Sequence, residues 1–394
     1  MRIAILTCGM LPIPAVQGGA VENMIDFYLE YNDRNKLHDI TVFSPWDSKV
    51  TQHPALASDV NHYIFIDVTS LKAKIERIIS KYFHSPSEYY NYFIEYYFEK
   101  VYAKLKLLDF DYIVLENCPG HTFKLSQRGY QNLILHLNND LLNIKSRYHD
   151  EIFNGLRFIL TCSNYIKERV LTIQPDSHKV HTLYNAIDVN NFSRHDIKPV
   201  NRKEIGISEN DFVMVYSGRI NKDKGVSELI DAMLTLKDYS QIKLMIIGGT
   251  FYGNAKNEDG FVRSLKEKAQ PIIDRIVFTG FVPYSQVPSY LKMADIAVLP
   301  SMWDEPFGLT IAEALAAGLP LVTTRSGGIP EICEGVATII DRKDVVDHLT
   351  TAILDLYNHP EKREYMAALS PDRALHFDKE PYAKHFFAEL ASLP

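Results

Sequence analysis

The stretch from Asp295 to Glu331, DIAVLPSMWDEPFGLTIAEALAAGLPLVTTRSGGIPE, is the part of the chain that best defines its fold. Its opening apolar run predicts a buried strand that ends at Pro300, and a polar loop follows that strand. A helix is expected to begin near Leu309 or Thr310, and a second strand is expected from Leu319 to Thr323. A strand, a helix and a further strand in this order are typical of a parallel α/β sheet.

The same alternation extends to both ends of the chain. Strand-length apolar runs before residue 200 are Arg2 to Cys8, Asp39 to Phe43, Tyr63 to Asp67, Tyr112 to Glu116, Asn132 to Leu137, Phe158 to Cys162 and Val180 to Tyr184. The later series is Phe212 to Ser217, Lys243 to Gly248, Ile276 to Thr279, Ile296 to Pro300, Leu319 to Thr323 and Ala337 to Ile340. Helix-period segments lie between these runs, so the sequence predicts an α/β protein with two Rossmann-like, doubly wound domains facing a central cleft.

A polar stretch without apolar periodicity, NNFSRHDIKPVNRKEIGISEN from Asn190 to Asn210, lies between the two series. It predicts an interdomain linker near residue 200. The 394 residues, 46% of them hydrophobic and 23% charged, suffice for two domains with separate cores. We therefore expect an N-terminal domain over residues 1–197, a C-terminal domain over residues 205–375, and a C-terminal helix over residues 376–394 that returns to the first domain.

Charge and cysteine usage exclude several classes of protein. The formal net charge of −7 gives no global basic field, so nucleic acid is not expected as a partner. The four cysteines, Cys8, Cys118, Cys162 and Cys333, are far apart and form no CxxC pair. Neither a disulfide framework nor a zinc site is expected, which fits the reducing cytosol.

The first residues, MRIAILTCGMLPIPAV, combine one basic residue with an apolar stretch, as signal peptides do. The apolar run has only strand length and leads into a Pro/Gly loop and a helix-period segment, so the first βα unit of a doubly wound domain is predicted instead. No run approaches the ~18 apolar residues of a membrane span. Neither domain has a GxGxxG after its first strand, which argues against a dinucleotide dehydrogenase.

The predicted helix after Pro300 offers an anion site. Backbone N–H groups of Phe307, Gly308 and Leu309 would point out of its N-terminus, where unpaired donors and the helix dipole favour a phosphate. Glu305 lies just outside this end and can accept hydrogen bonds from sugar hydroxyls, and Glu313 can reach a different polyol such as a ribose. On spacing alone, a solvated helix start remains the alternative.

Several motifs together are more specific than the two glutamates. Glu305-Pro-Phe-Gly-Leu-Thr-Ile-Ala-Glu313, with Ala317 to Pro320 and Gly327 to Glu331 behind it, resembles the E-x7-E region of the family 4 retaining glycosyltransferases. Further segments similar to that family are Ser217-Gly218-Arg219 with Lys224-Gly225, Asn185-Ala186-Ile187-Asp188 with Phe192, and Gly18-Gly19-Ala20-Val21-Glu22. Ala186 departs from the glycine that is usual there. The resemblance implies the GT-B fold, the group 1 glycosyl transferases and a nucleotide-sugar donor.

Two cations fit a diphosphate leaving group. Arg219 and Lys224 follow the first predicted strand of the second domain, at the carboxyl edge where ligands bind in such folds. Fixed cations and a helix N-terminus stabilise the charge that grows on a departing diphosphate without a metal. Arg219, Lys224 and Glu305 are therefore candidate catalytic residues, with surface charges as the alternative for the two cations.

Candidate residues of the first domain are a histidine and two glycines. His136 ends an apolar run, where a lone histidine is often structural, but the family resemblance implies a histidine near the transferred sugar. His121 follows the preceding strand and is the rival. Gly18 and Gly19 would let the backbone approach the donor phosphates or the acceptor, or would serve a turn that needs positive φ.

A metal-dependent transferase would carry a DxD at the end of a strand. The chain has one, Asp109-Phe110-Asp111, but it precedes the strand that begins at Tyr112 and so lies at the amino end of the sheet. We interpret it as a loop. No metal ligands and no cofactor are predicted.

The segment from Leu71 to Phe83 has a basic amphipathic pattern. Leu71, Ile75, Ile78 and Tyr82 lie on one helical face, and the basic residues lie largely off it. Such a helix suits an anionic membrane surface, and the resemblance implies one in transferases with lipid-linked acceptors. An ordinary helix packed on its sheet is the alternative.

We therefore expect a cytoplasmic, metal-independent, retaining hexosyltransferase, peripheral on the inner face of the membrane if Leu71 to Phe83 docks there. The N-terminal domain would bind a glycan or lipid-linked acceptor in surface polysaccharide or glycoconjugate synthesis. The C-terminal domain would bind the nucleotide sugar, with UDP favoured. A nucleotide-sugar epimerase and an inactive sugar-nucleotide-binding module are the alternatives.

Overall fold

A computed structural model describes residues 1–83, 89, 92–193, 195–249 and 260–393. The chain forms two compact units. The first comprises Met1–Asn185 and Lys379–Pro394, and the second comprises Ala186–Asp378.

The first unit contains a parallel sheet of seven strands. They are β1 (Arg2–Leu6), β2 (Asp39–Pro45), β3 (Asn61–Ile66), β4 (Tyr112–Glu116), β5 (Leu133–Leu137), β6 (Phe158–Thr161) and β7 (Val180–Thr182). The strand order is β3-β2-β1-β4-β5-β6-β7, so the order reverses between β1 and β4. Glu116 pairs with His136 in the register of β4 and β5. The strands are almost wholly apolar and buried, as strands covered on both faces must be.

The helices of the first unit lie between these strands. They are α1 (Ala20–Asn35), α2 (Leu71–Phe83), α3 (Tyr92–Leu105), α4 (Pro119–Gln127), α5 (His149–Asn154) and α6 (Asn164–Leu171).

Helix α2 turns its apolar side chains away from the unit. Leu71 is 75% exposed, Ile75 50%, Ile78 58% and Ile79 53%. The helix packs on α3, where Tyr96 donates a hydrogen bond of 2.9 Å to Glu76. Leu71, Ile75 and Ile78 of the predicted apolar face are therefore exposed within the described unit. The side chain of Tyr82 lies outside the described residues.

The second unit contains a parallel sheet of six strands with order β10-β9-β8-β11-β12-β13. They are β8 (Phe212–Ser217), β9 (Ile242–Ile247), β10 (Ile276–Gly280), β11 (Ile296–Leu299), β12 (Leu321–Thr324) and β13 (Thr338–Ile340). Its helices are α7 (Asn190–Ser193), α8 (Val226–Thr235), α9 (Gly260–Lys268), α10 (Val287–Leu291), α11 (Leu309–Ala316), α12 (Ile329–Cys333), α13 (Val345–Asn358) and α14 (Pro360–Ala374).

The last helix, α15 (Lys379–Ala391), belongs to the first unit and packs against α1. The ring of Phe386 stacks on Tyr28 with centroids 4.1 Å apart. Oε2 of Glu389 lies 3.0 Å from Nδ1 of His181, a residue of β7.

The predicted strands all correspond to strands of the two sheets, with ends shifted by a few residues. Residues 186–197, which we expected in the first domain, lie in the second unit. Ile187 forms an isolated bridge with Asp378, and the ring of Phe192 packs on Tyr284 with centroids 5.8 Å apart. These contacts place Ile187 and Phe192 with the second unit, so the boundary lies before the polar stretch.

Candidate active site

Two loops of the second unit meet where its strand order reverses. The first follows β8 and runs from Gly218 to Gly225, and the second follows β11 and runs from Pro300 to Gly308. Ligands of open parallel sheets bind outside the carboxyl ends of the strands at such a switch point. The strand order therefore places a candidate site at these loops.

A glycine lets the two loops approach each other. Gly225 has φ of 69°, and a Cβ on it would lie 1.8 Å from the carbonyl oxygen of Pro300. Any other side chain would force the backbones apart. Lys224, the residue before this contact, is thereby held beside the loop that follows β11.

Lys224 and Glu305 form an ion pair across the loops through Nζ and Oε1. The hydroxyl of Ser301 donates a hydrogen bond of 2.9 Å to the same carboxylate oxygen. Only 19% of the Lys224 side chain and 10% of the Glu305 side chain are exposed, so water screens the pair poorly. The Lys224 ammonium also lies 5.5 Å from the ring centroid of Trp303, within the range of a cation–π contact.

The N-terminus of α11 lies in the same loop. Gly308 precedes the helix with φ of 115°, and no side chain caps the first turn. The Gly327 to Glu331 segment supports the loop, since Gly328 donates a backbone hydrogen bond of 2.8 Å to the carbonyl of Glu305. A Cβ on Gly327 would lie 2.2 Å from that carbonyl oxygen. The uncapped helix end can offer backbone N–H groups to an anion.

Arg219 adds a cation to this edge. Its side chain is exposed and forms no ion pair within the part of the chain that the structure describes. Tyr216 fixes the backbone here by donating a hydrogen bond of 2.8 Å from its hydroxyl to the Arg219 carbonyl. The guanidinium is therefore available to a phosphate, which it can bind through two parallel hydrogen bonds.

Glu313 lies one turn inside α11 and is buried, with 7% of its surface exposed. Tyr284 donates a hydrogen bond of 3.0 Å to its Oε1. Burial raises the pKa of the carboxyl to about 7, and the Tyr284 hydroxyl opposes that increase. The helix begins at Leu309, as predicted, and places Glu305 before its start and Glu313 within it.

Residues 197–371, which include this whole arrangement, match the family described as glycosyl transferases group 1. A putative glycosyltransferase of Bacillus subtilis (strain 168), YtcC, is 29% identical over 373 residues, which cover 91% of this chain and 81% of that relative. The matched region, most of the second unit, is a group 1 glycosyl transferase domain. This match confirms the family resemblance of the motifs in that unit.

Solved structures share the fold of the whole chain. Anabaena HepE in complex with UDP and glucose matches with a TM-score of 0.71 at 19% identity, covering 100% of both chains. Sucrose-phosphate synthase of Thermosynechococcus elongatus matches with a TM-score of 0.74 at 19% identity, covering 100% of this chain and 99% of that one. The predicted GT-B fold is confirmed.

His136 has no exposed surface. Its Nδ1 lies 3.0 Å from Oε2 of Glu116, and Tyr28 donates a hydrogen bond of 2.9 Å to the other carboxylate oxygen. Tyr382 and Phe386 of α15 lie against its ring, with centroids 6.4 and 6.3 Å away. The arrangement favours a structural role. A catalytic His136 stays a prediction, and it requires these side chains to move.

The rival histidine is no more accessible. His121 is 1% exposed, and its ring centroid lies 4.8 Å from that of Phe98. Burial, with a smaller contribution from Lys124, lowers the pKa of His121 to about 3. The imidazole is therefore neutral at physiological pH.

Gly18 and Gly19 shape the turn before α1, with φ of 75° and 114°. The Gly18 N–H donates a hydrogen bond of 2.8 Å to the carbonyl of Ala15. The buried carboxylate of Glu22 lies against Gly19, where a Cβ would be 2.1 Å from its Oε2. A carboxylate in this position opposes a phosphate, so the surroundings favour the turn role over the donor contact.

The Asp109-Phe110-Asp111 segment lies at the amino end of the first sheet, as predicted. Asp111 accepts a hydrogen bond of 2.7 Å from the backbone N–H of Arg2, the first residue of β1. Within the described ranges, no group of three or more His, Cys, Asp and Glu side chains is arranged to hold a metal ion. In the same ranges no helix is long and apolar enough to cross a membrane.

Two polar partners in this site have no signal in the sequence. Ser301 lies between Asp295 and Glu331, where no pattern distinguishes it from an ordinary loop serine. Tyr284 lies after β10, at a distance from both glutamates in sequence, and the folding of the second unit brings its hydroxyl to Glu313. Phe307 was expected to contribute its backbone, and its side chain is buried against Phe377.

Proposed function

We propose that the protein is a retaining, metal-independent glycosyltransferase that uses a nucleoside diphosphate sugar, with an acceptor hydroxyl on a glycan or a lipid-linked glycan. One observation carries the proposal. The shielded Lys224–Glu305 pair lies beside the uncapped N-terminus of α11 at the switch point of the second unit. It supplies a cation for phosphate and a carboxylate for sugar hydroxyls next to each other.

The reaction breaks the bond between the anomeric carbon and the diphosphate oxygen. Arg219, Lys224 and the first N–H groups of α11, from Phe307 to Leu309, take up the charge that develops on the departing oxygen. Glu305 orients the sugar and stabilises the positive charge of the oxocarbenium-like transition state. The acceptor hydroxyl attacks on the same face and gives its proton to the leaving phosphate, so configuration is retained without a covalent intermediate.

Glu313 completes the donor site by accepting hydrogen bonds from the ribose hydroxyls. UDP is the favoured nucleotide, and HepE in complex with UDP and glucose supports this choice at the level of the fold. A thermal-shift panel of UDP, GDP and ADP sugars tests it. A ligand at 100 times its dissociation constant stabilises the folded protein by about 2.7 kcal/mol. No shift with any of the three would refute the donor proposal.

Retention is tested without knowledge of the acceptor. Many transferases slowly hydrolyse their donor, and the anomer released first reports the stereochemistry. With UDP-α-glucose, or whichever α-linked donor the panel selects, proton NMR should detect the α-anomer before mutarotation. The β-anomer as the first product would exclude a retaining mechanism.

The first unit would bind the acceptor. Burial, followed by the negative charge of Glu116, raises the pKa of Glu22 at the start of α1. A largely buried carboxylate at the edge of this sheet suits a hydroxyl donor better than a phosphate. Helix α2 would bring the enzyme to an anionic membrane surface that holds a lipid-linked acceptor.

The outward face of α2 supports this docking role. Its four exposed apolar side chains, Leu71, Ile75, Ile78 and Ile79, have no cover within the described unit. Lys72 and Lys74 are exposed on the same helix. An apolar stripe flanked by lysines fits the boundary between headgroups and acyl chains.

A further inference from the structure

Tyr284 connects the donor site to a distant motif of the second unit. Its hydroxyl donates the 3.0 Å hydrogen bond to Oε1 of Glu313. Oε2 of Glu313 accepts no hydrogen bond from any residue that the structure describes. One carboxylate oxygen is thus fixed by the protein, and the other remains for a ligand.

An aromatic contact with Phe192 holds the Tyr284 ring in place. Phe192 of α7 is fully buried and meets the ring edge to face, at a centroid distance of 5.8 Å and an interplanar angle of 72°. Such aromatic pairs stabilise one ring orientation beyond simple burial. Phe192 is the last residue of the family-like motif from Asn185 to Phe192. Its contact with Tyr284 links that motif to Glu313, because Tyr284 is hydrogen-bonded to Glu313.

We propose that Tyr284 is a positioning residue for the nucleotide. Its hydroxyl occupies one oxygen of Glu313, so that the other accepts the hydrogen bond of a ribose hydroxyl, and Phe192 holds the tyrosine in place. This inference rests on the proposed binding of a nucleoside diphosphate sugar by Glu313. It assigns a function to the Phe192 contact that the family motif by itself does not explain.

The geometry has a consequence for pH dependence. Burial raises the pKa of Glu313 to about 7, and the Tyr284 hydrogen bond favours the ionised form. Burial raises the pKa of Tyr284, and the negative charges of Glu313 and, to a smaller extent, Asp188 raise it further. An ionised Glu313 accepts ribose hydrogen bonds. Binding should therefore be complete above pH 7 and weaken as the pH falls through about 7.

The test is calorimetric titration of a nucleotide sugar between pH 6 and 9. The probe is whichever of UDP-glucose, GDP-mannose and ADP-glucose binds tightest, because their diphosphates do not titrate in this range. Tyr284→Phe removes the hydroxyl and keeps the ring. A charge-assisted hydrogen bond corresponds to roughly one pKa unit, so we expect about fivefold weaker binding at pH 7 and less than about twofold at pH 9.

Three further variants make the outcome specific. Phe192→Leu should shift the pH profile in the same direction by a smaller amount, whereas Tyr365→Phe, at an exposed tyrosine of α14, should not shift it. Glu313→Gln should abolish the pH dependence. If Glu313→Gln leaves binding unchanged, the assignment of Glu313 itself fails. If Glu313→Gln removes the pH dependence and Tyr284→Phe matches the wild type at every pH, only the positioning role fails.

Discussion

The two switch points of this protein share a topology and differ in chemistry. In the second unit, the loops after β8 and β11 carry Arg219, Lys224 and the uncapped start of α11. In the first unit, the strands that flank the reversal are β1 and β4, and the buried Glu22 lies at the start of the helix that follows β1. Strand order thus places a potential site at both edges, but the side chains decide whether that site favours a phosphate or a hydroxyl.

The strongest test of this contrast removes the cations of the second unit. Lys224→Ala and Arg219→Ala should each lower turnover by roughly 100-fold or more, because each removes stabilisation that grows in the transition state. Initial rates at saturating donor measure the effect. Lys222→Ala is the matched control, since this exposed lysine lies in the same loop without contacting Glu305.

Near-normal turnover in both variants would remove the diphosphate assignment. Thermal melting should show that they remain folded, although Lys224→Ala leaves the Glu305 carboxylate with Ser301 as its neighbour. A loss of activity with a collapse of melting temperature in Lys222→Ala as well would indicate damage to the loop rather than lost charge stabilisation.

The two glutamates sharpen the comparison within the second unit. Glu305→Gln should lower turnover by about 10- to 100-fold and change affinity for the product nucleotide little, because we propose that Glu305 contacts the sugar. Glu313→Gln should weaken binding of the bare nucleoside diphosphate by about tenfold, because we propose that Glu313 contacts the ribose. Calorimetry with the product nucleotide separates the two, and Asp304→Asn is the control. Equal effects on product binding would contradict this division of roles.

Much of this molecule could be predicted from the sequence. Short continuous apolar runs predict the strands, because a parallel sheet that is buried on both faces needs such runs. The start of α11 was found because a glycine and a loop precede an apolar helix. The motifs that predict Arg219, Lys224, Glu305 and Glu313 as site residues are local in sequence, and all four lie in the loops and helix after β8 and β11.

Contacts between distant segments were not predictable in this way. The sequence gives no indication that α15 covers His136 or that Tyr284 reaches Glu313, since both depend on tertiary packing. The direction in which the apolar face of α2 points is also not predictable from the sequence. Its period identified an amphipathic helix, but only exposure shows whether the apolar face points into the unit or away from it.

A substitution of His136 distinguishes a structural role of this residue in the first unit from a catalytic one. His136→Gln should lower the free energy of unfolding by about 1–3 kcal/mol, because it alters a fully buried side chain whose Nδ1 lies 3.0 Å from Oε2 of Glu116. Turnover per folded molecule should fall by less than about threefold. Urea unfolding and initial rates check the two effects. A 100-fold loss of turnover with unchanged stability would instead support the catalytic role predicted from the family resemblance.

The weakest expected effect is at the membrane. Lys72, Lys74 and Lys81 could each contribute about 1 kcal/mol near an anionic surface, and Arg77 contributes less because it packs over the Phe93 ring at 5.1 Å. Cosedimentation with anionic vesicles should therefore be salt-sensitive, since the Debye length falls from about 8 Å at physiological salt to about 3 Å at 1 M.

Two variants distinguish charge from apolar contact. Changing Lys72, Lys74 and Lys81 together to Gln should weaken binding to anionic vesicles, and Ile75→Ser with Ile78→Ser should weaken it further. The control changes Lys198, Lys203 and Lys222 to Gln, the same loss of charge in the second unit. If the wild type does not bind anionic vesicles at low salt, α2 is not a docking helix and a freely diffusing acceptor is the better hypothesis.

The central claim is that the second unit binds a nucleoside diphosphate through its own cations. Calorimetric titration of UDP in excess EDTA, with the wild type and with an Arg219→Ala/Lys224→Ala double variant, tests this most directly. Two charge-assisted contacts amount to about 3 kcal/mol or more, so the double variant should bind at least about 100-fold more weakly than the wild type. Binding that appears only when magnesium or manganese is added, or equal affinity in the two proteins, would contradict the claim.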